Sequence, residues 1–185
     1  MTDTTSVQAP PSADSEPRFY VGSYVLETLT TGMYTEPRDC VREYVQNGLD
    51  AIEMARHAKL LGPHEGEVRL HVNAENGGSI VIRDNGVSIP SERVWETLTS
   101  IGASRKIARR HAGFRGIGRL AGIAYCRQLE FACKAAGEAT ITIVTYDCDA
   151  IKKALREGGS ELEPVFKRSI TMREEPVSAA ATQHY

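Results

Sequence analysis

Four short motifs rich in acids, amides and glycines follow one another within a single domain length of this chain. In order they are Glu43-Tyr-Val-Gln-Asn47-Gly-Leu-Asp50-Ala51, Asp84-Asn-Gly86, Gly102-Ala-Ser104-Arg-Lys106 and Gly113-Phe-Arg-Gly116-Ile-Gly118. Any one of them could arise by chance. Together they require a helix to carry the first motif, a strand to precede the second, and a glycine-rich turn to open a further helix. The set predicts a site for a nucleoside triphosphate.

The first motif lies in a segment, residues 36–60, that is predicted to be one helix. At about 100° per residue, Glu43, Asn47 and Asp50 fall in one narrow stripe. Any surface helix shows such a polar stripe, so this feature alone also fits a purely structural role. Gly48 is costly inside a helix and indicates close approach of a sheet or a ligand. The apolar side chains predicted to lie roughly on the opposite, buried side are Val41, Tyr44, Val45, Leu49 and Ile52.

Each polar residue of this stripe has a chemical role in the nucleotide hypothesis. An amide oxygen such as that of Asn47 is a suitable ligand for Mg²⁺, which completes its shell with phosphates and water. The Glu43 carboxylate, one turn earlier, can accept a proton from a water that attacks the γ-phosphate. Asp50 could position a water or a neighbouring polar group.

The second motif follows a predicted strand of three β-branched residues, 80–82. Asp84-Asn-Gly86 is also good turn chemistry, so a plain turn is one interpretation. The other is a partly buried, ionised Asp84 that accepts the exocyclic amine proton of adenine, with Gly86 letting the backbone pass close to the base. Guanine presents an oxygen at that position, so Asp84 would be the specificity element.

The last motif ends where a helix is predicted to begin, near residue 119, and successive backbone amides at a helix start bind anions. It has neither the strand context of a dinucleotide-binding turn nor the Lys-Ser/Thr ending of a P-loop. Between residues 97 and 129 there is no Asp or Glu, which suits a polyphosphate, although a solvated basic loop is the alternative. The basic residues in that interval are Arg105, Lys106, Arg109, Arg110, Arg115, Arg119 and Arg127.

Residues 1–17 are predicted to be a disordered leader, 18–175 one folded domain, and 176–185 a tail that is truncated from a longer protein. Residues 19–29 are predicted to form a first strand or an arm, and strands are predicted at 67–73 (half-buried), 80–82, 129–133, 140–146 and 165–172. Helices are predicted at 36–60, 91–99, 119–125 and 150–155. Helices and strands come in clusters without strict β-α-β alternation, which predicts an α+β fold: a two-layer sandwich with helices on one face of a mixed, mostly antiparallel sheet.

Composition excludes several classes of protein. No stretch approaches the ~20 apolar residues that span a membrane, and no signal peptide is recognisable, so the expected location is the cytoplasm. Four cysteines without C-x-x-C spacing are predicted to be buried, reduced thiols. The net charge of −2 argues against strong nucleic-acid binding by the domain.

With these motifs in this order, the chain resembles the GHKL ATPases, the superfamily of gyrase B, the ninety-kilodalton heat-shock chaperones, histidine kinases and MutL. The first motif looks like their N box, Asp84-Asn-Gly86-Val-Ser88 like the first glycine box, and the last two motifs like the second box with a phosphate lid between them. The nearest likeness is to bacterial chaperone-like, MORC-like members. Ser88 departs from the pattern, since a glycine is expected there, and the lid is short.

The resemblance implies the Bergerat fold with Mg-ATP between the helix layer and the lid. It assigns Glu43 as general base and Asn47 as magnesium ligand. Residues implied to bind the nucleotide are Asn47, Asp50, Asp84, Gly86, Gly102, Ser104, Lys106, Gly113, Phe114, Arg115, Gly116, Ile117 and Gly118.

The predicted function is slow, Mg²⁺-dependent ATP hydrolysis by a chaperone-like domain that closes its lid and forms a homodimer when ATP is loaded. A downstream domain or a protein client is the expected partner. The alternatives are a DNA-associated clamp ATPase of MutL or MORC type, and a nucleotide sensor that does not hydrolyse. A histidine kinase is disfavoured because no phosphoacceptor helix precedes the domain.

Overall fold

The computed structural model describes residues 36–99, 118–157 and 162–177. The predicted leader and the predicted strand or arm at 19–29 lie outside these residues. The described elements are α1 (Pro37–His57), β1 (Val68–Asn73), a 3₁₀ turn (Glu75–Gly77), β2 (Ser79–Asp84), α2 (Ser91–Thr99), the 3₁₀ helix η1 (Gly118–Ala124), β3 (Gln128–Cys133), β4 (Thr140–Asp147), α3 (Cys148–Arg156), α4 (Leu162–Ser169) and β5 (Ile170–Pro176).

Within the described part of the chain, the strands form two antiparallel sheets. β1 pairs with β2, with Leu70 opposite Ile82 and Val72 opposite Ile80. β4 is the middle strand of the second sheet and pairs with β3 on one side and β5 on the other. Helices and antiparallel sheets together make an α+β sandwich, as the sequence predicted.

The hydrophobic core lies between the β3–β4–β5 sheet and the helices that cover it. Val144 and Tyr146 point to the same face of β4, because alternate residues of a strand share a face, and both are fully buried. They meet apolar side chains from α2, η1, α3 and α4. The core cluster comprises Val94, Leu98, Leu120, Ile123, Cys133, Val144, Tyr146, Cys148, Ile151, Phe166 and Ile170.

Side chains join the two sheets where β2 ends. The backbone amide of Lys134 donates to the Ser88 hydroxyl at 2.9 Å. The Glu138 carboxylate accepts from the amides of Ser91 and Ala135, at 2.8 and 3.0 Å. Ser88, the position that departs from the family pattern, therefore has a structural role, because its hydroxyl connects the segment after β2 to the end of β3.

Helix α1 is confirmed, but its buried side differs from the predicted one. The buried residues are Cys40, Gly48, Ile52 and Ala55, which form a stripe roughly a third of a turn from Glu43, Asn47 and Asp50 rather than opposite them. Leu49, predicted to be buried, is 48% exposed. The helix ends at His57, earlier than predicted, because Lys59 adopts a left-handed conformation (φ 59°) that closes the last turn.

The predicted strand at 165–172 is wrong in its first half. Residues up to Ser169 belong to α4, and the strand runs over Ile170–Pro176. Phe166, Ser169 and Ile170 are the buried positions of this region, and their spacing of three and four residues is helical rather than alternating. The β-branched and aromatic residues Val165 and Phe166 suggested a strand from composition alone.

Two further predictions need correction. The helix expected at 119–125 is a 3₁₀ helix, η1. The strand expected to be half-buried at 67–73 is present as β1, but Leu70 and Val72 are 48% and 59% exposed.

All four cysteines are free, and three of them are buried, while Cys126 is half-buried.

Candidate functional site

Helix α1 presents the predicted acid, amide and acid along one side. Glu43 and Asp50 are half-buried and Asn47 is exposed. Asp50 accepts a hydrogen bond from the side-chain amide of Gln46, one turn earlier, at 2.9 Å. Gln46 is a contributor that motif reasoning passed over, although its i,i+4 spacing to Asp50 is a recognisable signal.

The end of β2 brings Asp84 against the middle of α1. A Cβ added at Gly48 would lie 3.1 Å from the Cβ of Asp84 and 3.2 Å from a methyl of Val68. These distances are tighter than ordinary contact, so a side chain at position 48 would force its neighbours to shift by a few tenths of an ångström. The prediction that Gly48 marks a close approach is confirmed, and the neighbour is the sheet.

Two opposing effects act on the Asp84 carboxyl. Burial at the strand end raises its pKa, and a hydrogen bond from the Gly86 amide to Oδ1, 3.0 Å, opposes that rise. The side chain still keeps contact with solvent. The residue as a whole is exposed, so a ligand can reach its carboxylate.

The turn after Asp84 packs on the backbone of α1. The amide of Val87 donates to the carbonyl of Ala51 at 3.0 Å, and a Cβ on Gly86 would overlap the backbone of Ala51. Asn85 closes the turn against Glu67, whose amide donates to the Asn85 side-chain oxygen at 2.7 Å. The motif thus makes a turn, as its composition suggested, and that turn fixes Asp84 beside α1.

The Glu43 side chain lies against the first residue of η1. A Cβ built on Gly118 would overlap the Glu43 carboxylate and would stand 2.6 and 2.7 Å from its Cδ and Cγ atoms. The end of the last motif and the acid of the first motif are thus direct neighbours. Along α1, Glu43 and Gly48 are about 7.5 Å apart, so Asp84 and Gly118 approach neighbouring stretches of one helix.

Six of the predicted site residues lie in the described part of the chain: Glu43, Asn47, Asp50, Asp84, Gly86 and Gly118. The structure places all six on α1 or beside it: three belong to the helix, Asp84 lies beside Gly48, Gly86 beside Ala51 and Gly118 beside Glu43. The remaining predicted residues lie outside the described residues; they are Gly102, Ser104, Lys106, Gly113, Phe114, Arg115, Gly116 and Ile117.

Tyr44 was assigned to the core by its apolar ring, and its hydroxyl was overlooked. The hydroxyl donates to the carbonyl of Arg119 at 2.8 Å and accepts from the amide of Gly122 at 2.9 Å. Sequence spacing does not reveal this contact, because the partners are 75 and 78 residues away.

Residues 34–170, more than half of the chain, match the family described as histidine kinase-, DNA gyrase B-, and HSP90-like ATPase. The chain belongs to this family of GHKL-type ATPase domains, which confirms the resemblance drawn from its motifs. It is also similar to heat shock protein 75 kDa, mitochondrial, of Rattus norvegicus, with 30% identity over 83 residues. That similarity covers 43% of this chain and 12% of the rat protein.

Two properties of the described residues bear on other kinds of site. None of the helices in that part of the chain combines the length and apolar character needed to cross a bilayer. Nor do three or more His, Cys, Asp or Glu side chains gather there in a group suited to a metal ion.

Proposed function

We propose that this domain binds ATP and hydrolyses it slowly, with Asp84 recognising adenine and Glu43 acting as general base. The observation that carries the proposal is that α1 contacts both motif regions, with Asp84 beside Gly48 and Gly118 beside Glu43. Membership of an ATPase family supports the choice of nucleotide.

Adenine selection would come from charge and hydrogen-bond polarity at Asp84. An ionised carboxylate accepts the exocyclic amine of adenine, whereas the carbonyl oxygen of guanine at that position would be repelled. Hydrogen bonds to a charged partner are worth about 1.5–3 kcal/mol, so losing one of them and adding a repulsion would cost at least tenfold in affinity.

Hydrolysis would depend on the placement of Glu43. Its carboxylate is half-buried, is held beside Gly118, and lies on the same side of α1 as Asn47. From there it can accept the proton of an attacking water, a contribution typically worth 10²–10⁴-fold in rate. Asp50, restrained by Gln46, would orient polar groups one turn further along α1.

The donor set of this site fits Mg²⁺ rather than a cation that needs several protein ligands. Asn47 would hold the ion through its amide oxygen. When bound, the ion would neutralise part of the negative charge of the phosphates. The glycine-rich and basic residues at 102–118 keep their proposed role as phosphate contacts.

We further propose chaperone-like behaviour in which ATP loading closes the lid over the nucleotide and favours a homodimer, with a downstream domain or a protein client as partner. The similarity to a heat shock protein supports this interpretation. Sedimentation velocity with and without a non-hydrolysable ATP analogue tests it, and a monomer under both conditions would contradict it.

Calorimetric titration with a non-hydrolysable ATP analogue, with and without Mg²⁺ and in parallel with GTP, tests binding. We expect Asp84→Asn to abolish binding, and retained micromolar affinity would refute the adenine assignment. Single-turnover assays test the chemistry: Glu43→Ala should bind ATP without hydrolysing it. Glu53→Ala, an exposed acid on the same helix, is the matched control and should behave like the unmodified protein.

Two other outcomes would point to the alternatives. Tight binding without Glu43-dependent turnover would identify a nucleotide sensor. DNA binding with a steep dependence on salt would favour a clamp ATPase, because that dependence reports the number of phosphate contacts.

A further inference from the structure

The Tyr44 hydroxyl joins α1 to η1 at two points. It donates to the Arg119 carbonyl and accepts from the Gly122 amide, at 2.8 and 2.9 Å. These two backbone groups are three residues apart, which is the spacing of one 3₁₀ turn. A single side chain of α1 therefore contacts both the start and the end of the first turn of η1.

The ring of Tyr44 is also in contact with a neighbouring element. It meets Phe131 of β3 edge-on, with ring centroids 6.2 Å apart and planes at 67°, an arrangement that aromatic pairs favour. Burial raises the pKa of Tyr44 far above its ordinary value. The phenol consequently stays neutral at neutral pH, where its hydroxyl can both donate and accept.

Gly122 provides the space that this hydroxyl needs. A Cβ there would stand 2.7 Å from the Tyr44 hydroxyl and 3.1 Å from a methyl of Leu129. A side chain at position 122 would therefore force the hydroxyl to shift away from its two backbone partners. Tyr44 and Gly122 therefore form a matched pair, although 78 residues separate them.

Consecutive residues on each element connect this pair to the candidate site. Glu43 precedes Tyr44 on α1, and Gly118 precedes Arg119 on η1. Glu43 lies against Gly118 while Tyr44 bonds to Arg119. Any rotation or sliding of η1 along α1 that changed the Glu43–Gly118 contact would break the hydrogen bonds of Tyr44.

We propose that Tyr44 is a positioning residue, which sets the Glu43 carboxylate against η1 and thereby fixes the geometry of the general base. This inference rests on the proposed function. Tyr44 lies outside the polar stripe of Glu43, Asn47 and Asp50, and in this proposal it contacts neither the nucleotide nor the attacking water.

Tyr44→Phe tests the proposal, with Tyr146→Phe as the matched control. Tyr146 is buried, donates its hydroxyl to the Leu98 carbonyl at 2.6 Å, and packs edge-on against the same Phe131 at 5.9 Å. Each variant keeps the ring and removes one hydroxyl, so ring packing is preserved in both, while Tyr44→Phe leaves two backbone groups without this partner and Tyr146→Phe leaves one.

We expect Tyr44→Phe to lower the single-turnover rate of ATP hydrolysis by about tenfold to a hundredfold, because displacing a catalytic group by about 1 Å can cost 10²-fold. Its affinity for the ATP analogue should stay within about threefold of the unmodified protein. Tyr146→Phe should keep both values. Equal losses of rate in the two variants, or no loss in Tyr44→Phe, would overturn the proposal.

Hydrogen exchange tests the Tyr44 hydrogen bonds without requiring hydrolysis. In the unmodified, nucleotide-free protein the Gly122 amide should be protected, and Tyr44→Phe should accelerate its exchange about fivefold or more, while Tyr146→Phe should not. An unprotected Gly122 amide would overturn the proposal even if no variant folded. A Glu43→Gln variant separates the two hypotheses, because unchanged turnover in that variant removes the proposed function and leaves the exchange result standing.

Discussion

Gly118→Ala is the substitution that most directly tests the placement of Glu43. The new methyl would occupy the space of the Glu43 carboxylate and crowd its Cδ and Cγ at 2.6 and 2.7 Å. The neighbour is the end of a flexible side chain, so the carboxylate can move away without any shift of the backbone. The perturbation therefore acts on the position of one functional group.

The effect on stability should be small. Alanine in place of glycine within a helical segment gains about 0.5–1 kcal/mol, and a strained rotamer at Glu43 costs of order 0.5–1.5 kcal/mol. These contributions nearly cancel, so the free energy of unfolding should change by less than about 1 kcal/mol. Urea denaturation measures it. Gly62→Ala is the control, because its methyl would also meet a glutamate carboxyl group, that of Glu65, remote from the site.

The effect on turnover should be large. A displaced general base forfeits up to its usual 10²–10⁴-fold contribution, so we expect the single-turnover rate of Gly118→Ala to fall by at least about tenfold. Affinity for the ATP analogue should change little, because alanine keeps the backbone amide through which this position would contact phosphate. In the double variant with Glu43→Gln the two losses should not add, since both remove the same function. A Gly118→Ala protein that hydrolyses ATP at the unmodified rate, while Glu43→Gln is inactive, would refute this reasoning.

Three further predictions concern stability. Gly86→Ala places a methyl against the backbone of Ala51, which cannot rotate away, so we expect a loss of about 1–3 kcal/mol in urea unfolding; an unchanged midpoint would contradict that packing. Burial raises the pKa of Asp84, so its ionised form destabilises the folded state. Asp84→Asn should therefore raise the melting temperature at pH 7, with an advantage that shrinks as pH falls through the raised pKa; a pH-independent difference would argue against it. Burial likewise raises the pKa of Cys40 from 9.0 to about 11. The stability this provides, roughly 3 kcal/mol, is complete below about pH 9 and is lost as pH rises to 11, and Cys40→Ala should flatten that alkaline decline.

The sequence predicted the elements of the fold well where one periodicity dominated. The polar stripe of α1, the alternation of β3 and the turn at Asp84 were all recognisable from local patterns. The prediction for the α4–β5 region failed because Val165 and Phe166 favour strands by composition, whereas the buried positions, Phe166, Ser169 and Ile170, follow helical spacing. The 3₁₀ geometry of η1 could not be predicted either, because it accompanies a hydroxyl from a distant helix.

The candidate site, like the fold, could be predicted only in part from the sequence. Motif order indicated that Glu43, Asp84 and Gly118 should converge, and their neighbours in the structure agree with that expectation. A close approach at Gly48 was predicted, but the particular neighbours of Gly48 and Gly86 were not accessible from the sequence. Gly48 and Gly86 are required by contacts between α1 and the β2 region, which depend on the crossing of two elements rather than on either sequence.

The separation of the strands into two sheets has a consequence for how this domain opens. In the described residues the β1–β2 hairpin is connected to the remainder through α1 and through a few side-chain hydrogen bonds, such as that of Ser88, rather than through a backbone ladder. Structures of this kind open locally as separate cooperative units. Asp84 lies at the end of β2 in the hairpin, whereas Gly118 lies in η1, which contributes side chains to the core. A ligand that contacts both Asp84 and η1 would suppress the partial unfolding of the hairpin. With that ligand bound, the hairpin and the core would unfold together.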